Sequence, residues 1–170
     1  MKDVRPTSSK VLQALFNILG SLQEVAFLDL FAGTGKVGAF AYERGARPVV
    51  EVELVRKRAE AIRKNFKKEI DSDSYIVLSM DIRRALQWLQ KKNHSFDIIF
   101  ADPPYEEGWP NKILDLLKEA PVILKDNGLI IIEHSIREPI IIQGDDFIVT
   151  DSRTYGDTNL TFLKKKEVFE

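Results

Sequence analysis

The chain has 170 residues, 44% hydrophobic and 30% charged, which is the size and composition of one globular domain. No apolar run approaches the roughly 20 residues of a membrane span, and the N-terminus lacks the apolar core of a signal peptide. The absence of cysteine and a count of two histidines exclude disulfides and disfavour a metal site, while a net charge of −1 argues against a non-specific grip on naked nucleic acid. We therefore predict a cytoplasmic monomer that binds no metal or membrane, with a helical start over residues 1–20 and a core over 25–170.

Helices and strands alternate along most of the chain. The first helix is capped by Thr7, Ser8 or Ser9, shows apolar residues at helical spacing, and ends at Gly20. Further helices are predicted over residues 36–43, 56–67, 82–91 and 111–117. Strands are predicted over 25–30, 48–53, 75–78, 96–101, 128–133, 147–154 and 158–164.

The order of these elements predicts the fold class. Apolar strands separated by helices form a parallel sheet that is covered on both faces. The last two strands are joined by the short turn Tyr155-Gly156-Asp157, so they must pair antiparallel. We predict a Rossmann-like α/β fold of the class I methyltransferase type, with seven mostly parallel strands and a C-terminal antiparallel hairpin. In such sheets, ligands bind at the carboxyl ends of the strands.

A glycine-rich turn follows the first strand. Its G-x-G-x-x-G spacing also fits a dinucleotide site, but Asp29 at the strand end would repel a pyrophosphate. A Walker A loop is disfavoured because no Ser or Thr follows Lys36. The same acid suits the amino group of S-adenosylmethionine. We therefore predict that this cofactor is held by Asp29, Phe31, Ala32, Gly33, Thr34 and Gly35.

Acidic residues also follow the next two strands. A carboxylate after the second strand would bind the ribose hydroxyls, and alternation points Glu51 and Glu53 to the same side, so the pattern does not separate them. After the third strand, Asp81 could accept from the adenine amine while Ile82 packs on its ring. Asp81 is equally suited to cap the following helix.

The fourth strand ends in Asp102, Pro103, Pro104 and Tyr105, which we predict to be the catalytic turn. An exocyclic amine on a base is a poor nucleophile. Asp102 and the Pro103 carbonyl could accept its N–H groups, orient the nitrogen and stabilise the positive charge that develops on it. The prolines stiffen the turn, and Tyr105 offers a face on which a flipped base can stack. Asp102 would also border the cofactor.

These motifs together resemble the RsmD family of 16S ribosomal RNA guanine-N2 methyltransferases. Arg-Pro-Thr before the first helix and Tyr-Gly-Asp-Thr in the final hairpin are the most specific features. The resemblance runs through nearly the whole chain, in residues 5–7, 14–19, 28–35, 44–46, 52–53, 65, 96–105, 133 and 155–158.

The resemblance implies an activity and roles for residues. It implies methylation of a guanine N2 amine on the small ribosomal subunit or an assembly intermediate, with Glu53 as the ribose acid and Asp81 and Ile82 at the adenine. It places Asp102, Pro103, Pro104 and Tyr105 at the guanine, and Arg5 and Thr7 near the cofactor or RNA, although these two could equally form a plain helix start. Two departures are Val55, where the family has an acid, and the four residues before Arg5, where it carries a basic segment.

Several alternatives stay open. The same turn occurs in methyltransferases of adenine N6 or protein glutamine, and the fold also admits a nicotinamide-dependent oxidoreductase or a ribosome-assembly factor without catalysis. We interpret the basic residues of the 56–67 helix as a solvated face rather than an RNA contact. We interpret His134 as a residue at the edge of the site rather than a catalytic one.

Overall fold

The computed structural model describes residues 8–66 and 73–167. Its helices are α1 (Ser9–Leu19), α2 (Lys36–Glu43), α3 (Arg56–Phe66), α4 (Ile82–Lys91) and α5 (Trp109–Glu119), with a 3₁₀ turn at Pro121–Ile123. Its strands are β1 (Phe27–Asp29), β2 (Val49–Val52), β3 (Tyr75–Leu78), β4 (Phe96–Ala101), β5 (Leu124–Ser135), β6 (Phe147–Tyr155) and β7 (Thr158–Lys165). The described strands form one sheet in the order β3-β2-β1-β4-β5-β7-β6.

Internal contacts divide the chain into two compact units, residues 1–85 and 86–170. The prediction of a single domain over the whole chain therefore stays a prediction. None of the helices in the described ranges is both long and apolar enough to cross a membrane.

The first unit contains β1, β2 and β3, which pair in parallel. Phe27, Leu28, Val49 and Val50 have no exposed surface, as expected for strands that are covered on both faces. Because the three strands run in one direction, the residues that end or follow them meet at one edge of this part of the sheet. Asp29, Glu53 and Asp81 therefore come from the same edge.

Helix α1 begins and ends where the sequence predicts. The Ser8 hydroxyl accepts a hydrogen bond from the Val11 N–H at 3.2 Å, which caps the first turn. At the other end, Gly20 has a φ of 66°, and its N–H donates to the Phe16 carbonyl. Thr7, the alternative cap, lies outside the described residues.

The second unit ends in the predicted antiparallel hairpin. Strand β4 pairs in parallel with β5, whereas β7 lies antiparallel between β5 and β6. The β6–β7 turn closes on the pair Tyr155↔Thr158, with Gly156 at a φ of 60°. The predicted fold class is confirmed.

Some predicted boundaries were wrong. The first strand is only Phe27–Asp29, because Val25 donates its N–H to the Leu22 carbonyl and so belongs to the preceding turn. The second is Val49–Val52, shorter at both ends than residues 48–53. Helix α5 begins at Trp109, two residues early, since Gly108 adopts the left-handed conformation before it and Pro110 fits its first turn.

Strand β5 begins four residues before the predicted position, because Leu124 already pairs with Phe96 across a register shift. Strands β6 and β7 each extend one residue further than predicted. The predicted end of α3 at Lys67 lies outside the described residues.

Candidate active site

The glycine turn between β1 and α2 is held by backbone hydrogen bonds. The Ala32 N–H donates to the Val52 carbonyl and the Gly35 N–H to the Ala32 carbonyl, both at 2.9 Å. Gly33 and Gly35 have φ values of 59° and 82°, in the left-handed region that favours glycine. A Cβ on Gly35 would also come within 2.9 Å of Ile62. The conformation at Gly33 and Gly35, and the packing of Ile62 against Gly35, therefore favour glycine in this turn.

Asp29 is the last residue of β1 and only 1% exposed. Its Oδ1 accepts a hydrogen bond from the Phe31 N–H at 3.3 Å, which fixes the carboxyl group beneath the start of the glycine turn. A buried carboxylate at the end of a strand is suited to hold a ligand that carries an amino group.

Glu53 follows β2 directly, and its carboxyl group holds the glycine turn at Gly33. One carboxylate oxygen accepts from the Gly33 N–H at 3.0 Å, and the other accepts from the Val55 N–H at 2.8 Å. The Nε of Arg58 lies 3.3 Å from the first of these oxygens. Glu53 is thus fixed against the glycine turn, and its role as the ribose acid, which the family resemblance favours, stays a prediction.

Glu51 occupies a different place, although strand alternation alone could not separate the two acids. It has no exposed surface, and its carboxyl group lies against the first turn of α2, where a Cβ added to Gly38 would overlap it. A residue enclosed in this way cannot reach a ribose hydroxyl.

The pKa of Glu51 is raised well above its ordinary value, chiefly by burial and then by the charge of Asp29. The Tyr75 hydroxyl and the Gly38 N–H face the carboxyl group and oppose this rise more weakly. Burial likewise raises the pKa of Tyr75, so its hydroxyl keeps its proton.

Asp81 and Ile82 lie at the start of α4. The Arg84 N–H donates to Asp81 Oδ1 at 2.9 Å, so the helix-cap interpretation of Asp81 is confirmed. Asp81 is exposed and Ile82 is buried. Their contact with an adenine stays a prediction.

The predicted catalytic turn follows β4 in the second unit. Asp102 and Tyr105 are half-buried, Pro103 is buried and Pro104 is exposed. The Tyr105 hydroxyl is hydrogen-bonded to Thr158 Oγ1 at 3.0 Å, which ties the turn to the first residue of β7. The sequence did not predict this partner, although Thr158 closes the Tyr-Gly-Asp-Thr motif.

The loop after the catalytic turn is fastened to the end of β5. The Gly108 N–H donates to Glu138 Oε2 at 3.2 Å, and the Glu138 N–H donates to the Ser135 carbonyl at 3.0 Å. The Ile136 N–H donates to the Asp157 carbonyl, which joins the same region to the hairpin turn. Glu138 is therefore a supporting residue that no motif indicated.

His134 is a structural residue within this network. Its Nδ1 faces the Ser135 and Glu138 carbonyls at 3.0 and 2.9 Å, and its Nε2 lies 2.7 Å from the Thr161 hydroxyl. Since carbonyl oxygens only accept, Nδ1 donates to them, and Nε2 is hydrogen-bonded to the Thr161 hydroxyl. With both nitrogens engaged and 2% of its surface exposed, His134 is poorly placed for proton transfer.

The basic side chains of α3 differ in exposure, and Arg58 is half-buried beside Glu53. That the exposed ones form a solvated face rather than an RNA contact stays a prediction. Lys57, Arg63 and Lys64 are exposed, and Arg63 donates to the Val77 carbonyl at 2.8 Å. Arg56 pairs with Glu60 at 3.0 Å on the same surface. Two other predicted contacts, Arg5 and Thr7, lie outside the described residues.

The donors and acceptors of the first unit fit S-adenosylmethionine. Two buried carboxylates, Asp29 and Glu53, flank a glycine turn, which suits a ligand with an ammonium group at one end and a ribose diol further along. The described residues hold no group of three or more His, Asp or Glu side chains that could bind a metal ion.

Solved structures define the class of protein. HI0767 from Haemophilus influenzae is 29% identical with a TM-score of 0.78, covering 95% of this chain and all of that one. An RNA methyltransferase from Salinibacter ruber, solved with S-adenosyl-L-homocysteine, shares the fold at 15% identity with a TM-score of 0.71 and covers 98% of this chain and 97% of that one. The fold is that of the class I methyltransferases.

Sequence comparisons define the family. The family described as Conserved hypothetical protein 95 matches residues 1–164. The Ribosomal RNA small subunit methyltransferase D of Buchnera aphidicola (strain APS) is 34% identical over 144 residues, 82% of this chain and 72% of that protein. The Haemophilus influenzae protein of the same name is 32% identical over 140 residues, 81% of this chain and 72% of that protein. The chain belongs to the RsmD family of methyltransferases, and the predicted resemblance is confirmed.

Proposed function

We propose that this chain transfers a methyl group from S-adenosylmethionine to the exocyclic N2 amine of a guanine in 16S ribosomal RNA. The observation that carries the proposal is the Asp-Pro-Pro-Tyr turn, anchored at the end of β4 in a chain that is 34% identical to a Ribosomal RNA small subunit methyltransferase D. The turn supplies hydrogen-bond acceptors and an aromatic face, which are the groups that a planar amine on a base requires.

The residues of the first unit bind and orient the cofactor, which supplies the electrophilic methyl group when bound. Asp29 holds the ammonium group, and the backbone of residues 31–35 lies along the methionine end. Glu53 accepts from the ribose hydroxyls, and Asp81 and Ile82 contact the adenine. Glu53 already spans Gly33 and Val55, so the ribose acid is fixed in place before the cofactor arrives.

The residues of the catalytic turn hold the base. The Asp102 carboxylate and the Pro103 carbonyl accept the two N–H groups of the guanine amine, which orients its nitrogen lone pair for attack. Both acceptors stabilise the positive charge that develops on the nitrogen during transfer. The proton that the amine then loses passes to Asp102 or to water. Tyr105 stacks on the flipped guanine ring.

The substrate is the small ribosomal subunit or an assembly intermediate rather than free RNA. With a net charge of −1, the chain lacks the global positive field that gathers naked RNA. Recognition then depends on local contacts that an assembled particle can provide, and the substrate would place the enzyme in the cytoplasm.

Methyl transfer from tritiated S-adenosylmethionine tests the proposal, with small subunits and free 16S RNA as parallel substrates and the product nucleoside identified after digestion. We expect N2-methylguanosine, formed faster on the particle. A different methylated nucleoside, or no incorporation on either substrate by a protein that binds the cofactor, would contradict the proposal.

A further inference from the structure

Glu51 is a buried acid that the proposed chemistry does not use. It lies on β2, opposite Asp29 of β1 and Val77 of β3 in the strand register, and it has no exposed surface. Placing a carboxyl group in such an enclosed position costs stability unless the group is neutral or well paired. A hydrocarbon side chain would fill the same place without that cost, so the acid needs an explanation.

The carboxyl group of Glu51 fills the space beneath the glycine turn and the first turn of α2. A Cβ on Gly35 would lie 3.1 Å from Glu51 Oε2, and one on Gly38 would lie 2.9 Å from Glu51 Cγ and overlap the carboxyl group. Gly38 does not have a positive φ, so its lack of a side chain provides room rather than conformational freedom. The third glycine of the G-x-G-x-x-G spacing thus accommodates Glu51.

The charges around Glu51 favour its uncharged form. Among the described residues, the charged groups that act on it are Asp29 on β1 and Glu53 directly after β2, and both are acids. The neighbouring cation, Arg58, makes its contact with Glu53 instead. From β3 the Tyr75 hydroxyl faces Glu51, and from α2 the Gly38 N–H does so, and both are neutral donors.

We propose that Glu51 is a positioning residue of the cofactor site, an uncharged carboxylic acid that braces Asp29 and the glycine turn from beneath. The inference rests on the proposed binding of S-adenosylmethionine. With Glu51 neutral, Asp29 alone carries the negative charge at the end of β1, beside the expected ammonium group. The raised pKa of Glu51 supports this assignment.

The protonation state can be observed directly in the wild-type protein. Carbon-13 NMR of the glutamate side-chain carboxyl groups at pH 7 should show one protonated carboxyl signal, which is absent from Glu51→Gln. If every glutamate carboxyl group is ionised at pH 7, the proposal is overturned. This measurement requires no variant to fold except for the assignment of the signal.

The positioning role is tested by calorimetric titration with S-adenosylhomocysteine, which is independent of methyl transfer. Glu51→Val, which keeps bulk but removes the polar group, should weaken binding about tenfold, within the usual range of coupling between sites. Glu51→Gln, in which the side chain is an uncharged analogue of the protonated acid, should bind S-adenosylhomocysteine within about twofold of the wild-type affinity. Val50→Ala, on the same buried strand, is the control for general weakening of the sheet.

The outcomes separate two failures. If Glu51→Val is folded and binds as tightly as wild type, Glu51 has no positioning role, while the cofactor assignment stands. If Glu51→Gln loses as much affinity as Glu51→Val, the ionised form is the one that matters and the proposal is wrong. If the wild-type protein itself does not bind, the proposed cofactor fails and the role of Glu51 fails with it.

A second pair of variants tests the contact itself. Gly38→Ala should weaken S-adenosylhomocysteine binding, because the added Cβ pushes against the Glu51 carboxyl group. Combining it with Glu51→Ala removes the overlap, so the loss of affinity in the double variant should be smaller than the sum of the losses in Gly38→Ala and Glu51→Ala. Strictly additive losses would contradict the contact.

Discussion

The hydroxyl groups of Tyr105 and Thr158 lie 3.0 Å apart and connect the turn after β4 with the first residue of β7. The two residues are 53 positions apart in the chain, yet both belong to motifs on which the predicted family resemblance rests. A stacking aromatic works best when its ring is held in one orientation before the base arrives. We infer that Thr158 provides this restraint.

Thr158→Val should impair methyl transfer to the small subunit without impairing cofactor binding. The substitution keeps the shape of the side chain but removes the hydrogen bond, and we expect kcat/KM for the RNA substrate to fall about tenfold, the equivalent of one buried hydrogen bond. Steady-state kinetics with each variant measures the effect, and Thr158→Ser, which keeps the hydroxyl, is the matched control. Adding Tyr105→Phe to Thr158→Val should cause little further loss, whereas additive losses would show that the two groups act independently.

Tyr105→Ala should cause a larger loss than Tyr105→Phe, because it removes the aromatic face as well as the hydroxyl. Stacking on an aromatic side chain contributes about 1–3 kcal/mol per base, so we expect kcat/KM to fall about 5- to 150-fold relative to Tyr105→Phe. Parallel kinetics on small subunits provides the comparison. Equal rates for the two variants would show that the Tyr105 ring does not stack on the base, so that its only role would be the hydrogen bond to Thr158.

Glu53→Ala should weaken S-adenosylhomocysteine binding at least about tenfold, since it removes both the ribose acceptor and the anchor of the Gly33 N–H. Isothermal titration measures the affinity. Glu60→Ala is the control, because this exposed acid pairs with Arg56 on the outer surface of α3. Unchanged affinity in Glu53→Ala would leave the family's ribose acid unassigned in this chain.

The stability of the protein should depend on pH through Glu51. Its pKa is raised in the folded protein, so above pH about 4.5 the folded state retains a proton that the unfolded chain has lost. The free energy of unfolding should therefore decrease as pH rises, by at most about 1.4 kcal/mol per pH unit from this group, until the folded pKa is passed. Urea unfolding of wild type and Glu51→Gln between pH 5 and 9 measures the difference. Parallel pH profiles for the two proteins would show that Glu51 ionises alike in both states.

Much of the fold could be predicted because local patterns agree with it. The bounds of α2, β3, α4 and β4 match the prediction, and in each case turn residues or a switch in hydrophobic period mark the ends. The predicted ends of β1 and β5 were wrong because they depend on backbone pairing partners elsewhere in the chain. Leu124, for example, joins β5 only because Phe96 is there to pair with it.

In the candidate site, too, some features could be predicted from the sequence and others could not. The types and order of its residues follow from motifs, since Asp29 ends a strand and the glycines and the Asp-Pro-Pro-Tyr turn each follow one. The different positions of Glu51 and Glu53 could not be predicted, because a period of two places both on one side of β2 and carries no information on depth. Glu51 is enclosed because its carboxyl group occupies the room that a side chain at Gly38 would need, and this contact is set by tertiary packing. The hydrogen bond between Tyr105 and Thr158 likewise depends on tertiary packing.

The most direct test of the account is a single-turnover reaction of Asp102→Ala, saturated with S-adenosylmethionine, on small ribosomal subunits, with N2-methylguanosine measured beside the wild-type protein. We predict that the variant binds S-adenosylhomocysteine within about threefold of wild type while transfer falls by at least about a hundredfold, the scale of losing one transition-state acceptor. Transfer at the wild-type rate would contradict the role of the Asp102 turn in catalysis, and loss of cofactor binding would assign Asp102 to the cofactor instead of the base.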